Sequence, residues 1–182
     1  MKNYYKSKID KNYVLFTRVP LFKDKFNHVY CDLLWSKDLK EHLLYINNFM
    51  ICCPVIYCDD CGGINNIIDI TDFNIKYIFE LKKDEGVISI LSNLLPNMLR
   101  VRKACSCAEL AHSGGAGWAF PLSFYLLFLR PFIHFQWIIV VESSFWMITD
   151  NERLTVRRVV SHYIHKFFLK MCVKLADVRI FT

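Results

Sequence analysis

Apolar and polar positions divide the chain into short runs whose period changes from one to the next. Residues Asn12 to Val19 alternate and are rich in β-formers, and Pro20 then stops them, which predicts a first strand followed by a loop. Leu39, Leu43 and Ile46 recur at helical spacing behind Ser36, a good N-cap, with Asp38 in the first turn. Lys37 to Asn47 is therefore predicted as an amphipathic helix. Phe49 to Tyr57 is wholly apolar, the pattern of a strand buried on both faces. Residues 58–73, with Asp59, Asp60, Gly62, Gly63, Asn65 and Asn66, read as turn and loop before a strand over Ile75 to Leu81.

A helix from Glu85 to Met98, interrupted by Pro96, and a short strand near Cys107 to Ala111 come next. Ser113 to Gly117 reads as a flexible turn, Pro121 to Leu129 as a very apolar helix, and Trp137 to Val141 as another buried strand ending at Glu142. A long helix, Glu152 to Ala176, leads into a last strand, Val178 to Phe181. The alternation of strand and helix predicts an α/β domain with a doubly wound, mostly parallel sheet and helices on both faces. On the long helix Val156, Val159, Val160, Tyr163, Phe167 and Met171 are expected to form the core stripe. Arg158, His162, Lys166, Lys170 and Lys174, four residues apart, are expected to form the opposite face. Ala116 to Val141 does not predict a membrane span, because Pro121, Arg130-Pro131, His134 and Gln136 leave runs well short of the ~20 residues a span needs.

Composition sharpens this picture in three places. At 182 residues, 54% hydrophobic and 22% charged, the chain suits a single domain, residues 1–182, and is neither disordered nor a bundle of membrane spans. A mean hydropathy of +0.23 leaves room for an apolar face that a partner or a membrane covers. Of the formal charge of +6, nearly all falls after Asn151, where seven Lys or Arg stand against two Asp or Glu. That basic helix, 152–176, suits a solvated face, an anionic membrane surface or a phosphate-bearing lipid acceptor. Nucleic acid is not expected, because the basic stripe lacks interleaved aromatics.

The eight cysteines are scattered through apolar runs behind a polar, Lys-rich N-terminus without a signal peptide, which predicts a reduced, cytoplasmic protein. Cys52, Cys53 and Cys172 read as buried small hydrophobes. Cys58-Asp59-Asp60-Cys61 and the downstream Cys105-Ser106-Cys107 admit a zinc or redox module, although C-x-C is a poor second ligand pair; no metal site is expected.

Ligands of open α/β sheets bind beyond the carboxyl ends of the strands, which directs attention to Arg18, to Pro54, to His112 through Trp118 and to Glu142 through Trp146. Gly114, Gly115 and Gly117 allow close approach of backbone to a ligand, and a following helix N-terminus favours oxygen atoms; a tight strand-to-helix connection fits the spacing equally well. Glu142 can serve as a base or a sugar ligand, or as an ordinary helix cap. His112 is a candidate base or a hydrogen-bonded loop residue. Arg18 and Trp118 suit a phosphate and a sugar ring, and Trp118 suits the core as well.

Arg18-Val19-Pro20, Leu34-Trp35-Ser36-Lys37-Asp38-Leu39 with His42, and Cys53-Pro54-Val55 resemble the opening of bacterial family-four-type glycosyltransferases. The blocks His112-Ser113-Gly114-Gly115-Ala116-Gly117-Trp118-Ala119-Phe120-Pro121-Leu122 and Val141-Glu142-Ser143-Ser144-Phe145-Trp146 extend the resemblance, which runs from residue 12 to Thr182. It implies the N-terminal, Rossmann-like, acceptor-side domain of a GT-B transferase. Such an enzyme moves a sugar from a nucleotide-sugar donor to a glycan or lipid-linked acceptor in cell-envelope polysaccharide synthesis, at the inner face of the cytoplasmic membrane. It implies no cofactor and no metal. Glu142 and His112 are the catalytic candidates it implies, and Arg18, Gly114, Gly115, Gly117, Trp118, Ser143 and Ser144 the substrate-binding ones. The chain stops at Thr182 directly after a strand, so the expectation is an interrupted polypeptide whose donor-binding domain is absent and which is inactive alone. The competing expectation is a non-catalytic binding or scaffold protein, either a remnant of a transferase or a subunit whose apolar cleft face docks a separate donor-domain chain.

Overall fold

The computed structural model describes residues 8–59, 61, 64–84, 86–115, 121–141 and 155–181. Strand β1 (Ile9–Phe16) is followed by two short strands, β2 (Leu21–Lys23) and β3 (Val29–Asp32), then by helix α1 (Leu33–Tyr45) and the long β4 (Ile46–Tyr57). Next come β5 (Ile67–Asp69), β6 (Tyr77–Leu81), α2 (Val87–Cys107), β7 (Leu110–Gly114), α3 (Leu122–Leu129), β8 (Gln136–Val141), α4 (Val156–Leu175) and β9 (Val178–Phe181).

All nine strands among the described residues belong to one sheet. Six of them, in the order β6-β4-β1-β7-β8-β9, are parallel throughout. Counted along the chain this is the 3-2-1-4-5-6 order of a doubly wound, Rossmann-like sheet, as the alternating pattern predicts. β2 pairs with the far end of β4, at Val55 to Tyr57, and β3 and β5 add to it antiparallel. This extension has no counterpart in the hydrophobic pattern, because strands of three or four residues are too short for alternation to register. Pro54, which has no N–H to give, falls in the interval between the pairing of β4 with β1, which ends at Cys52, and with β2, which starts at Val55.

The pleat sends alternate residues of each strand to two separate cores. Val14 and Phe16 of β1, with Met50 and Cys52 of β4 and Trp137 and Ile139 of β8, face α2, α3 and α4. Tyr13 and Leu15, with Phe49, Ile51 and Cys53, face α1 and the β3 and β5 segments. Strands β4 and β8 are therefore apolar on both faces at their centres, which is why they appear as continuous apolar runs. Trp137 is fully buried, and its indole N–H donates to the Ser113 hydroxyl at 2.9 Å, so the polar tip of the largest core side chain is satisfied.

Several expectations are corrected by the packing. Asp32, not Ser36, caps α1: its carboxylate accepts from the N–H groups of Leu34 and Trp35, while Ser36 lies buried inside the helix and donates to the Leu33 carbonyl at 2.7 Å. α2 does not break at Pro96 but runs on to Cys107, because Val101, Ala104 and Cys105 beyond the proline are buried against the sheet. Gly114 closes β7, so the expected turn at Ser113 begins inside a strand. On α4 the inward face is His165, Cys172 and Ala176, with Phe168 and Leu169 partly buried; Val156, Val160, Tyr163 and Phe167, expected in the core, are exposed.

Cys58 and Cys61 are joined by a disulfide, their Cα atoms 5.7 Å apart, so the expectation of a fully reduced chain fails for this pair, which three-residue spacing brings into bridging range. Cys31, Cys52, Cys53, Cys105 and Cys172 are free and buried, and burial pushes the thiols of Cys105 and Cys172 up to about 12. Among the described residues no helix is long and apolar enough to cross a membrane, and no group of three or more His, Cys, Asp or Glu is placed to hold a metal.

Candidate functional site

The order of the parallel strands reverses between β1 and β7. Chain leaving β1 leads to α1 on one face, and chain leaving β7 leads to α3 on the other, so a crevice opens between the two carboxyl ends. A cleft of about 600 Å³ lies there, within the size range of small-molecule sites. Its floor is Leu15 to Val19 at the end of β1 with His112 and Gly114 of β7. Its wall is one face of α1: Trp35, Asp38, Glu41, His42 and Tyr45, which recur at the three- and four-residue steps that bring side chains to one side of a helix.

Two histidines meet at the centre, one from each side of the cleft. The rings of His42 and His112 are 5.8 Å apart, edge to face. Each has a tyrosine on its Nδ1, Tyr45 on His42 and Tyr13 on His112. Burial, and then the neighbouring His42, push His112 down to about 4. Burial also lowers His42, against the opposing pull of Asp38, and burial followed by Tyr45 raises Tyr13. At neutral pH the centre therefore carries two uncharged imidazoles and a tyrosine that keeps its proton. With the Tyr13 O–H donating to Nδ1, the proton of the His112 ring sits on Nε2 and makes that atom a hydrogen-bond donor. A base near 4 is a weak proton acceptor at neutral pH, so hydrogen-bond positioning is the chemistry this imidazole performs best.

At the rim Asp38 and Glu41 are exposed carboxylates one helical turn apart, and Trp35 is half-buried beside them. Arg18 lies in the floor and pairs at 3.1 Å with Asp84, whose side chain is only 2% exposed and which also accepts from Asn93 of α2. The guanidinium is thus fixed in place by a buried carboxylate.

Of the residues expected at the site, the fold brings Arg18, His112 and Gly114 together in this cleft. Gly115 is buried instead, its N–H donating to the Val140 carbonyl at 2.6 Å. A Cβ there would lie 3.0 Å from the Leu169 side chain of α4 and 3.2 Å from Val141, so close packing of β8 and α4 accounts for this glycine. None of the described glycines has a positive φ. Gly117, Trp118, Glu142, Ser143 and Ser144 lie outside the described residues.

Tyr13 and Tyr45 had no place among the expected site residues, and Trp35, Asp38 and His42 entered only through the family resemblance. The spacing of Trp35, Asp38, His42 and Tyr45 was the available signal. It was masked because the apolar repeat of Leu39 and Leu43 drew the helix's pattern toward its core side. No protein-family model, curated protein or solved structure matches this chain.

Proposed function

We propose that this chain is the acceptor-side domain of a glycosyltransferase-like protein, and that the switch-point cleft holds a hydroxyl-rich sugar acceptor. The observation that carries the reading is the lining of that cleft. An indole, Trp35, offers an apolar plate for the C–H face of a sugar ring, and Asp38 and Glu41 accept from hydroxyls. His42 and His112, both held neutral, orient further hydroxyls without adding charge. A neutral polyol is the ligand class that uses all of these at once. The resemblance of the blocks at residues 18–20, 34–42 and 112–122 to family-four-type glycosyltransferases supports the same reading and suggests a nucleotide sugar as donor. In this proposal Glu142, with Ser143 and Ser144, follows β8 in the chain and completes the acceptor side. The positioning role falls to His112, and Gly117 and Trp118 extend the loop after β7.

Saturation-transfer NMR with a panel of hexoses, disaccharides and nucleotide sugars tests this directly. Saturation of hexose or disaccharide ring protons is expected, lost in Trp35→Ala and weakened in His112→Gln. Saturation confined to the nucleotide of a nucleotide sugar, or signals unchanged by Trp35→Ala, would overturn the acceptor assignment.

A further inference from the structure

The helices on the side of the sheet away from α1 bury one apolar face against the sheet, and α2 and α4 carry a second apolar stripe to solvent. On α2 the inward positions of the first turns mix Leu94 and Met98, packed against the core, with two amides: Asn93 donates to the Lys83 carbonyl and to Asp84, and the buried Asn97 bonds both the N–H and the carbonyl of Lys82. Outward go Ile88, Leu91, Leu95 and Leu99, 56–84% exposed, a stripe at helical spacing beside the exposed Ser92. On α4 buried His165 faces Phe124 beside the inward Phe168, Leu169, Met171 and Cys172, and Val156, Val160, Tyr163, Ile164 and Phe167 are outward. α3 packs against both helices, so the two stripes flank it on one side of the molecule, and Phe132 just beyond α3 is 83% exposed. Isolated exposed apolar residues need no explanation, but two parallel helical stripes of them do.

The described helices on this side carry charge of one sign. α2 carries Arg100, Arg102 and Lys103 after its apolar stripe, and α4 carries Lys166, Lys170 and Lys174 at and beyond the end of its own; neither these helices nor α3 contains an aspartate or glutamate. α1, on the opposite face, mixes Lys37 and Lys40 with Asp38 and Glu41. Apolar side chains with cations beside them and no anions complement a surface that is negative outside and apolar beneath, which is the headgroup boundary of an anionic bilayer.

We propose that the outer face of α2, α3 and α4 docks on an anionic membrane surface, with the two apolar stripes entering the headgroup boundary and the lysines and arginines against the phosphates. The helices lie on the bilayer and do not cross it, in keeping with the lack of a span-length apolar helix among the described residues. This inference is independent of what the cleft binds.

Flotation of the full chain with phosphatidylcholine vesicles, with and without phosphatidylglycerol, tests it. The chain is expected to float with phosphatidylglycerol vesicles only and to be released by high salt. The double variant Leu91→Glu/Phe167→Glu and, separately, Lys166→Ser/Lys170→Ser should each reduce partitioning by roughly tenfold or more, with circular dichroism unchanged because all four positions are exposed. Failure to float, equal flotation on neutral vesicles, or full binding by both variants would overturn the proposal. Self-association that the Leu91→Glu/Phe167→Glu variant abolishes, without vesicle binding, would assign the face to a second copy of this chain and overturn it as well.

Discussion

The two sides of the sheet use polar groups in opposite ways. On the α1 side polar side chains are drawn into a crevice: Tyr13, His42 and His112 are hydrogen-bonded and half-buried or more, and carboxylates stand at the rim. On the other side the polar groups that go inward, Asn93, Asn97 and His165, serve the ends of the sheet and the helix packing, and the apolar surplus goes outward. Hydrophobicity alone therefore does not tell which face of a helix is inside; the neighbouring element decides. A helix over the middle of an apolar sheet buries its leucines, whereas a helix passing the carboxyl ends of strands meets loop carbonyls and must answer them with amides.

The largest test of that contrast is in the core of the helix-covered side. Trp137→Ala empties a fully buried site and leaves the Ser113 hydroxyl without its donor, so a loss of about 3–5 kcal/mol is expected in urea unfolding. A loss under about 1 kcal/mol would mean that this side collapses freely and is not the packed half.

The cleft side is expected to respond to acid. His112 titrates near 4 in the folded chain and near its ordinary 6.5 when unfolded, so between these values the unfolded chain binds the extra proton. Its contribution is complete above pH ~6.5, falls as the pH drops and is exhausted near 4. After allowing for its partial exposure this is on the order of 2–3 kcal/mol. His112→Gln should flatten that part of the pH–stability curve, leaving the smaller slope of His42, which is lowered in the same direction. A wild-type and variant difference that does not change with pH would place His112 in open solvent.

Asp32→Ala removes two bonds to the first turn of α1 and should cost about 1 kcal/mol, read in the same assay. The smallest effect belongs to the outward stripe: Leu91→Ser and Val160→Ser are expected within ~0.5 kcal/mol of wild type, since both side chains are already exposed. A loss of several times that would show that these stripes are internal.

Much of the architecture can be read from the chain. The apolar runs at Phe49–Tyr57 and Trp137–Val141 mark β4 and β8, and the alternation of strands and helices leads to the doubly wound class. Part of the site can also be read, since Arg18 follows β1 and Gly114 ends β7, whereas His112, expected just beyond a strand, is the middle residue of β7. The extension β2-β3-β5 was not legible, because three- and four-residue strands form only when a neighbour supplies their hydrogen bonds. The outward apolar stripes of α2 and α4 were not legible either. Their period is helical whichever side is buried, and periodicity carries no sign.

What this sequence determines by itself is thus local and periodic: where backbone is extended or helical, and which runs are apolar enough to lie inside a sheet. Tertiary structure decides what meets what. It sets His42 of α1 against His112 of β7, seventy positions away in the chain, because strand order reverses between β1 and β7 and leaves a crevice there. It also decides that Val156, Val160 and Phe167 face outward, because the inner side of α4 must pack His165 against Phe124 and bring the Cys172 thiol to the Ser123 carbonyl. Strand order and helix rotation are settled by contacts between distant residues, and a pattern read along one chain holds no record of them.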